Sequence, residues 1–188
     1  MSPDRRHFLT RASLLGGIAT WGPVGAALAQ VPSTTASPSP AAMEAKAPPM
    51  PALGTVLALP EVPLLDGKVF RPAQAEGQVL VIYWWASDCP FCALQSPEMQ
   101  KLWLSQRQRG LHMLTLSIDR QREDALAYLQ KKGYTFPAGF VTPAIQRVLP
   151  KPKGLPITLV RGRDGKLLQA EKGQLFPEDV EQLGRWIG

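Results

Sequence analysis

Cys89 and Cys92 stand three residues apart as Cys-Pro-Phe-Cys, and the chain has no other cysteine. A disulfide stabilises mainly by restricting the unfolded chain, and a bridge between these two closes so small a loop that stapling explains the pair poorly. Redox chemistry explains it better. At the mouth of a helix, Cys89 meets unpaired backbone N–H groups and the positive end of the helix dipole, and both stabilise a thiolate. Such settings lower a cysteine pKa from about 8.5. Pro90 at the first helical position loses no hydrogen bond there and fixes the turn. Cys92 follows one turn along the same face, within reach to resolve a mixed disulfide on Cys89. A zinc site would need two further ligands, and the histidines are His7, near the N-terminus, and His112, inside a strand pattern. The bland alternative is an inert disulfide, because an oxidising compartment closes such a pair unaided.

A strand and a helix must carry the pair. Val79-Leu80-Val81-Ile82-Tyr83-Trp84-Trp85 is a continuous apolar run, the pattern of a central strand buried on both faces. Residues 90–109 follow with Leu94, Met99, Leu102 and Trp103 at helical spacing. A second strand is expected over Leu111–Ile118, with Asp119 placed to cap a helix over Glu123–Lys132 that ends at Gly133. Ile157–Val160 and Leu167–Ala170 flank Arg163-Asp164-Gly165 as a hairpin, and a last helix starts at Pro177 with Glu178 and Asp179 in its first turn. Ahead of these, Leu57–Leu59 and Leu64-Leu65 precede the turn signal Asp66-Gly67 and Val69-Phe70, which predicts a small N-terminal β-hairpin. Strand, helix, strand, helix, hairpin and helix make an α/β sandwich with a mixed sheet.

The first 29 residues read as a targeting segment. Asp4-Arg5-Arg6-His7-Phe8-Leu9-Thr10 precedes a weakly apolar stretch, Ala12–Ala29, that closes on Ala27-Leu28-Ala29. Charged, apolar and small-residue parts in that order form an export signal, and the paired arginines before Phe8-Leu9 resemble the twin-arginine class. The alternatives are an ordinary signal with a positive end, or an uncleaved anchor, which Gly16, Gly17, Gly22 and Pro23 would weaken. Residues 30–52 are rich in Pro, Ala, Ser and Thr, too poor in large apolar side chains to offset the entropy of ordering, so they read as a linker. The net charge of +6 over 188 residues includes Arg5, Arg6, Arg11 and Asp4, which leaves +4 for the rest. With no basic run longer than two, that excess does not argue for nucleic acid.

Trp85-Ala86-Ser87-Asp88-Cys89-Pro90-Phe91-Cys92, then Pro97, and Gly154-Leu155-Pro156 before a strand, resemble thioredoxin-fold proteins. Leu64-Leu65-Asp66-Gly67-Lys68 with Arg163-Asp164-Gly165-Lys166 resembles their TlpA/ResA branch, exported thiol-disulfide oxidoreductases. The resemblance covers residues 53–188. It implies a thioredoxin-like mixed-sheet sandwich with an N-terminal β-hairpin extension, no cofactor, and catalysis by Cys89 and Cys92. It also implies a cis peptide before Pro156, whose loop lies against the cysteines and pairs with an extended substrate chain. Trp85, Pro90, Phe91 and Leu155 are the expected substrate contacts. Trp84 and Trp85 point to opposite faces of one strand, and the analogy favours Trp85 near the site. The resemblance further implies a periplasmic protein recharged by a membrane thiol-disulfide electron carrier of the DsbD or CcdA type. Its substrates would be disulfide-containing exported proteins, apocytochromes c or copper-site proteins among them.

The departures concern proton transfer. Asp88 stands where relatives carry Trp or Cys; its carboxylate either opposes thiolate formation, accepts a proton, or faces solvent. Thioredoxin's buried acid is replaced by Tyr83, and the Glu common in ResA-like proteins by Gln95, which hydrogen-bonds but does not titrate. The function expected is reduction of specific protein disulfides through the Cys89/Cys92 cycle. The alternatives are a disulfide oxidase or isomerase, and a non-catalytic binding module on the same fold. A peroxidase is disfavoured because such relatives use Thr-x-x-Cys where this chain has Ala86-Ser87-Asp88-Cys89.

Overall fold

The computed structural model describes Ala45 and residues 47–187. The segment read as an export signal, residues 1–29, and most of the stretch read as a linker lie outside the described residues. The end of the linker stretch lies on the domain: Lys153 N donates to Pro48 O at 3.1 Å, and Met50 packs against the core.

A five-stranded sheet forms the centre. Its strands are β3 (Val79–Trp85), β4 (Leu111–Ser117), β5 (Ala138–Phe140), β6 (Ile157–Arg161) and β7 (Leu167–Lys172), in the order β5-β4-β3-β6-β7. β4 runs parallel to β3 and β5 to β4, whereas β6 is antiparallel to β3 and β7 to β6. β3 is buried along its whole length. Because side chains alternate across a strand, Leu80, Ile82 and Trp84 enter one core layer, and Val79, Val81, Tyr83 and Trp85 the other. Helices α1 (Pro90–Gln106), α2 (Arg122–Lys132) and α4 (Pro177–Gln182) supply the second layer with residues such as Met99, Leu129 and Val180. The first layer is closed by α3 (Pro143–Val148), through Ile145, and by the N-terminal segment, through Leu57, Val62 and Phe70. Within that segment β1 (Val62–Pro63) pairs antiparallel with β2 (Val69–Phe70), and the turn between them uses Gly67 at φ 88°, where a side chain would be strained.

Three expectations need correcting. Leu57–Leu59 form no strand, although Leu57 is buried and the adjacent Val56 bridges to Lys166. The short elements β5 and α3 were not anticipated. Three residues are too few to show alternation, and six too few for a helical stripe. α3 did carry a start signal, Thr142-Pro143: the Thr142 hydroxyl accepts from Ile145 N at 3.3 Å, with Pro143 at the first helical position. Leu94, expected on the inner stripe of α1, is 60% exposed. The inner stripe is instead Cys92, Gln95, Ser96, Met99 and Leu102, so polar residues occupy two inward positions.

Burial of His112 on β4 depresses its imidazole pKa. A depressed folded pKa means that the unfolded chain takes up the proton first as pH falls through about 6.5, so stability present above that pH declines below it. The denaturant midpoint is therefore expected to fall between pH 7 and pH 5, and His112→Gln to flatten part of that fall. An unchanged slope in the variant would show that His112 contributes nothing to it.

Candidate active site

β3 delivers the chain to one end of the sheet, and Ala86-Ser87-Asp88 carries it to Cys89, the N-cap of α1 (φ −84°, ψ 113°). The Cys89 sulfur accepts a hydrogen bond from Cys92 N at 3.2 Å. That bond uses one of the N–H groups left free by the first helical turn. Cys89 and Cys92 are joined in a disulfide, with Cα atoms 5.2 Å apart. Cys89 is half-buried and Cys92 completely buried, so a substrate sulfur approaching from solvent meets Cys89 first.

β6 pairs Ile157 with Trp84 on β3, which places the residues just before β6 beside the end of β3. There the Leu155–Pro156 peptide is cis. Pro156 is buried and Leu155 half-buried. The preceding loop is shaped by Lys151, whose side chain is fully buried and whose ammonium donates to Pro152 O and Gly154 O, both at 2.8 Å. Leu155 and the Ala86–Asp88 loop share a cleft of about 570 Å³ whose walls include Ser87, Asp88, Asp119, Arg120 and Tyr128. Around the cysteines Asp88 and Pro90 are exposed, Phe91 is 58% exposed, and Leu94 stands beyond it on the outer face of α1.

Trp85 is not part of this rim. It is completely buried, its indole Nε1 donates to Thr115 Oγ1 at 3.2 Å, and its ring lies 5.4 Å from Tyr128. Trp84 is equally buried in the opposite layer. The strand is covered on both sides, so alternation moves each indole into a core layer and neither to the surface.

Behind Cys92 the polar groups are hydroxyls and an amide. The Tyr83 hydroxyl lies 3.0 Å from Ser96 Oγ and 3.4 Å from Cys92 O, and burial pushes its pKa far above the usual phenol value, so it stays protonated. Gln95 is fully committed to cross-linking: Nε2 donates to Thr158 Oγ1 at 2.9 Å, and Oε1 accepts from Leu175 N at 2.8 Å. It ties α1 to β6 and to the segment before α4.

Asp119 does not cap α2. The N-cap there is Gln121, with no side-chain cap, and the Asp119 carboxylate instead accepts from Ser87 and Ser117. The sequence singles out Asp119, two residues past the end of β4, but the Ser87 partner, 32 residues earlier, emerges only from strand pairing. Among the described residues, no group of three or more His, Cys, Asp or Glu side chains is arranged to hold a metal ion.

The first cysteine of a Cys-x-x-Cys pair caps a helix after the central strand, and a cis-proline peptide lies beside the end of that same strand. The structure superposes on a thiol:disulfide interchange protein of the thioredoxin family from Chlorobium tepidum with a TM-score of 0.66 at 21% identity, covering 73% of this chain and 99% of that one. The fold is thioredoxin-like. A secreted disulfide oxidoreductase from Mycobacterium tuberculosis superposes on the thioredoxin-like domain with a TM-score of 0.59 at 15% identity, over 66% of this chain and 93% of that one. Residues 54–140 match the AhpC/TSA family. Among curated relatives, the thiol-disulfide oxidoreductase ResA of Geobacillus thermodenitrificans is 24% identical over 121 residues, 63% of this chain and 68% of the relative. ResA of Halalkalibacterium halodurans is 20% identical over 123 residues, with the same coverage of both chains. The thioredoxin-like domain, its paired cysteines and these relatives together describe a thiol-disulfide oxidoreductase.

Proposed function

We propose that the protein is an exported reductase of protein disulfides, working through the Cys89/Cys92 couple. The observation that carries this reading is the asymmetry of the pair: Cys89 is half-buried at the N-cap of α1, and Cys92 is buried behind it. In the reduced enzyme the Cys89 thiolate attacks one sulfur of a substrate disulfide. A mixed disulfide forms and one substrate thiolate leaves. Cys92, deprotonated, then attacks the Cys89 sulfur, closes the intramolecular disulfide and releases the second substrate thiolate. Two electrons pass to the substrate, and the protons lost by Cys89 and Cys92 balance those gained by the two product thiols.

Each surrounding residue has a place in this scheme. The backbone beside cis-Pro156 pairs with the extended substrate chain, while Pro90, Phe91 and Leu155 contact its side chains. Asp88 is the exposed carboxylate next to Cys89 and serves as a proton acceptor, through water, when Cys92 ionises, because Tyr83 and Gln95 do not. Asp88 also supports the reductive direction. A couple is strongly oxidising when its reduced form is stabilised, and a carboxylate beside Cys89 opposes that stabilisation.

The signal read from Asp4-Arg5-Arg6 to Ala29 supports export to the periplasm, and one structural neighbour is described as secreted. In that compartment the oxidised enzyme needs a reductant, which we assign to a membrane thiol-disulfide electron carrier. The substrates are disulfide-bearing exported proteins such as apocytochromes c or copper-site proteins. Equilibration in glutathione buffers tests the direction. A couple at about −250 mV or lower is expected, whereas one near about −120 mV would make the protein an oxidant.

A further inference from the structure

We propose that Asp119 is a positioning residue for Cys89, pinning the loop that carries the attacking sulfur to the end of the neighbouring strand. This rests on the thiol-disulfide reading above and extends it to a group outside the Cys-Pro-Phe-Cys segment.

β3 and β4 stay in parallel register to their last residues, Trp85 opposite Ser117, and Ile118 N continues the ladder onto Trp85 O at 2.9 Å. Their continuations therefore leave the sheet side by side. Asp119 uses both carboxylate oxygens at this junction. Oδ1 accepts from Ser87 N at 2.9 Å and from Ser87 Oγ at 2.6 Å, and Oδ2 accepts from Ser117 Oγ at 2.6 Å. Ser117 Oγ in turn accepts from Asp119 N at 3.1 Å, which orients the acid. Hydrogen bonds to a carboxylate are shorter and stronger than neutral ones. Because the N-cap of α2 is Gln121 and Asp119 makes no bond to that helix's first turn, the carboxylate does not serve as a cap.

From Ser87 to the sulfur is a short path. Cys89 N closes a turn onto Ala86 O at 3.3 Å, and the Cys89 sulfur then caps the helix through Cys92 N. Asp119 thus sets where residues 87–89 enter α1, and so how squarely the sulfur sits over the free N–H groups that stabilise its thiolate. A displacement of about 1 Å in a reacting group can slow a reaction about a hundredfold. The charge of Asp119 acts in the opposite sense, because a nearby anion disfavours a thiolate. Asn, which keeps an acceptor for Ser87 and drops the charge, therefore separates the two effects from Ala, which drops both.

The test is the rate at which the reduced full chain attacks a small aromatic disulfide, followed from pH 6 to 9 in wild type, Asp119→Asn, Asp119→Ala and Ser87→Ala, with melting temperatures recorded alongside. The small disulfide offers no peptide to bind, so the rate reads the sulfur alone. Asp119→Ala is expected to be slower by about tenfold to a hundredfold, with its pH profile moved upward. Asp119→Asn should run at or above the wild-type rate. Ser87→Ala, which keeps the N–H contact and loses the hydroxyl, should fall by about threefold to tenfold. Equal slowing in Asn and Ala would overturn the proposal by making the charge the active feature. Wild-type rates in both would overturn it as well. Should Asp119→Ala fail to fold, the Ser87→Ala and Asp119→Asn rates decide, and a wild-type rate in Ser87→Ala would sink the idea. A wild-type protein that does not react at all would contradict the oxidoreductase reading itself, a result distinct from any pattern among the variants.

Discussion

Cys89→Ser is expected to bring insulin-disulfide reduction down to the uncatalysed rate, a loss of about three orders of magnitude or more, while Cys92→Ser stalls the enzyme partway. The geometry dictates this difference. Cys89 is the sulfur that solvent reaches, and it sits where the first turn of α1 offers backbone N–H groups to a thiolate. A serine hydroxyl in its place does not ionise near neutral pH, and the buried Cys92 is not accessible to substitute for it. In Cys92→Ser the first attack proceeds, but nothing displaces the substrate from Cys89. Intact-mass spectrometry should then show a one-to-one covalent adduct that dithiothreitol releases. Substantial turnover by Cys89→Ser, or no adduct on Cys92→Ser, would contradict the assigned roles.

Trp85→Ala is expected to cost about 3 to 5 kcal/mol of stability, measured by denaturant unfolding of the oxidised protein. Trp85 has no solvent exposure, and it hydrogen-bonds Thr115 and packs against Tyr128. Truncation leaves a large cavity in the layer that also holds Cys92, Met99 and Met113, and it deprives the Thr115 hydroxyl of its indole donor. A substrate-contacting tryptophan on the rim would behave differently, because exposed substitutions usually stay within about 0.5 kcal/mol and reveal themselves in substrate affinity. A stability change that small, with a raised KM, would restore Trp85 to the substrate surface.

The contrast between Trp85 and its neighbours shows what the chain reveals on its own. The strand Val79–Trp85 was legible to the residue, because seven consecutive apolar side chains suit a strand covered on both faces. That same double burial leaves neither indole free. Local backbone chemistry was legible too. Asp66-Gly67 marked the hairpin turn, and Gly133, at φ 67°, marked the end of α2. The cysteine pair at a helix start followed from residue types and spacing. The cis Leu155–Pro156 peptide followed only from family resemblance, since most X-Pro bonds are trans.

Long-range pairings were the part that stayed hidden. Gln95 and Ser96 look like outer-face residues, yet both point inward, because Thr158, Leu175 and Tyr83 supply partners from distant segments. Asp119 has the spacing of a cap but spends one oxygen on Ser87, in a loop 32 residues away, and the other on Ser117. Its role follows from the register of β3 against β4, which pattern alone does not define when β3 is continuously apolar and offers no alternation to align.

The account turns on Cys89 being the accessible nucleophile and Cys92 the protected resolver, and labelling measures that directly. The reduced, folded protein is treated briefly with iodoacetamide, quenched, digested, and the label assigned by peptide mass spectrometry. Label is expected almost entirely on Cys89, with Cys92 modified only after unfolding. Equal labelling of both cysteines, or faster labelling of Cys92, would contradict the mechanism.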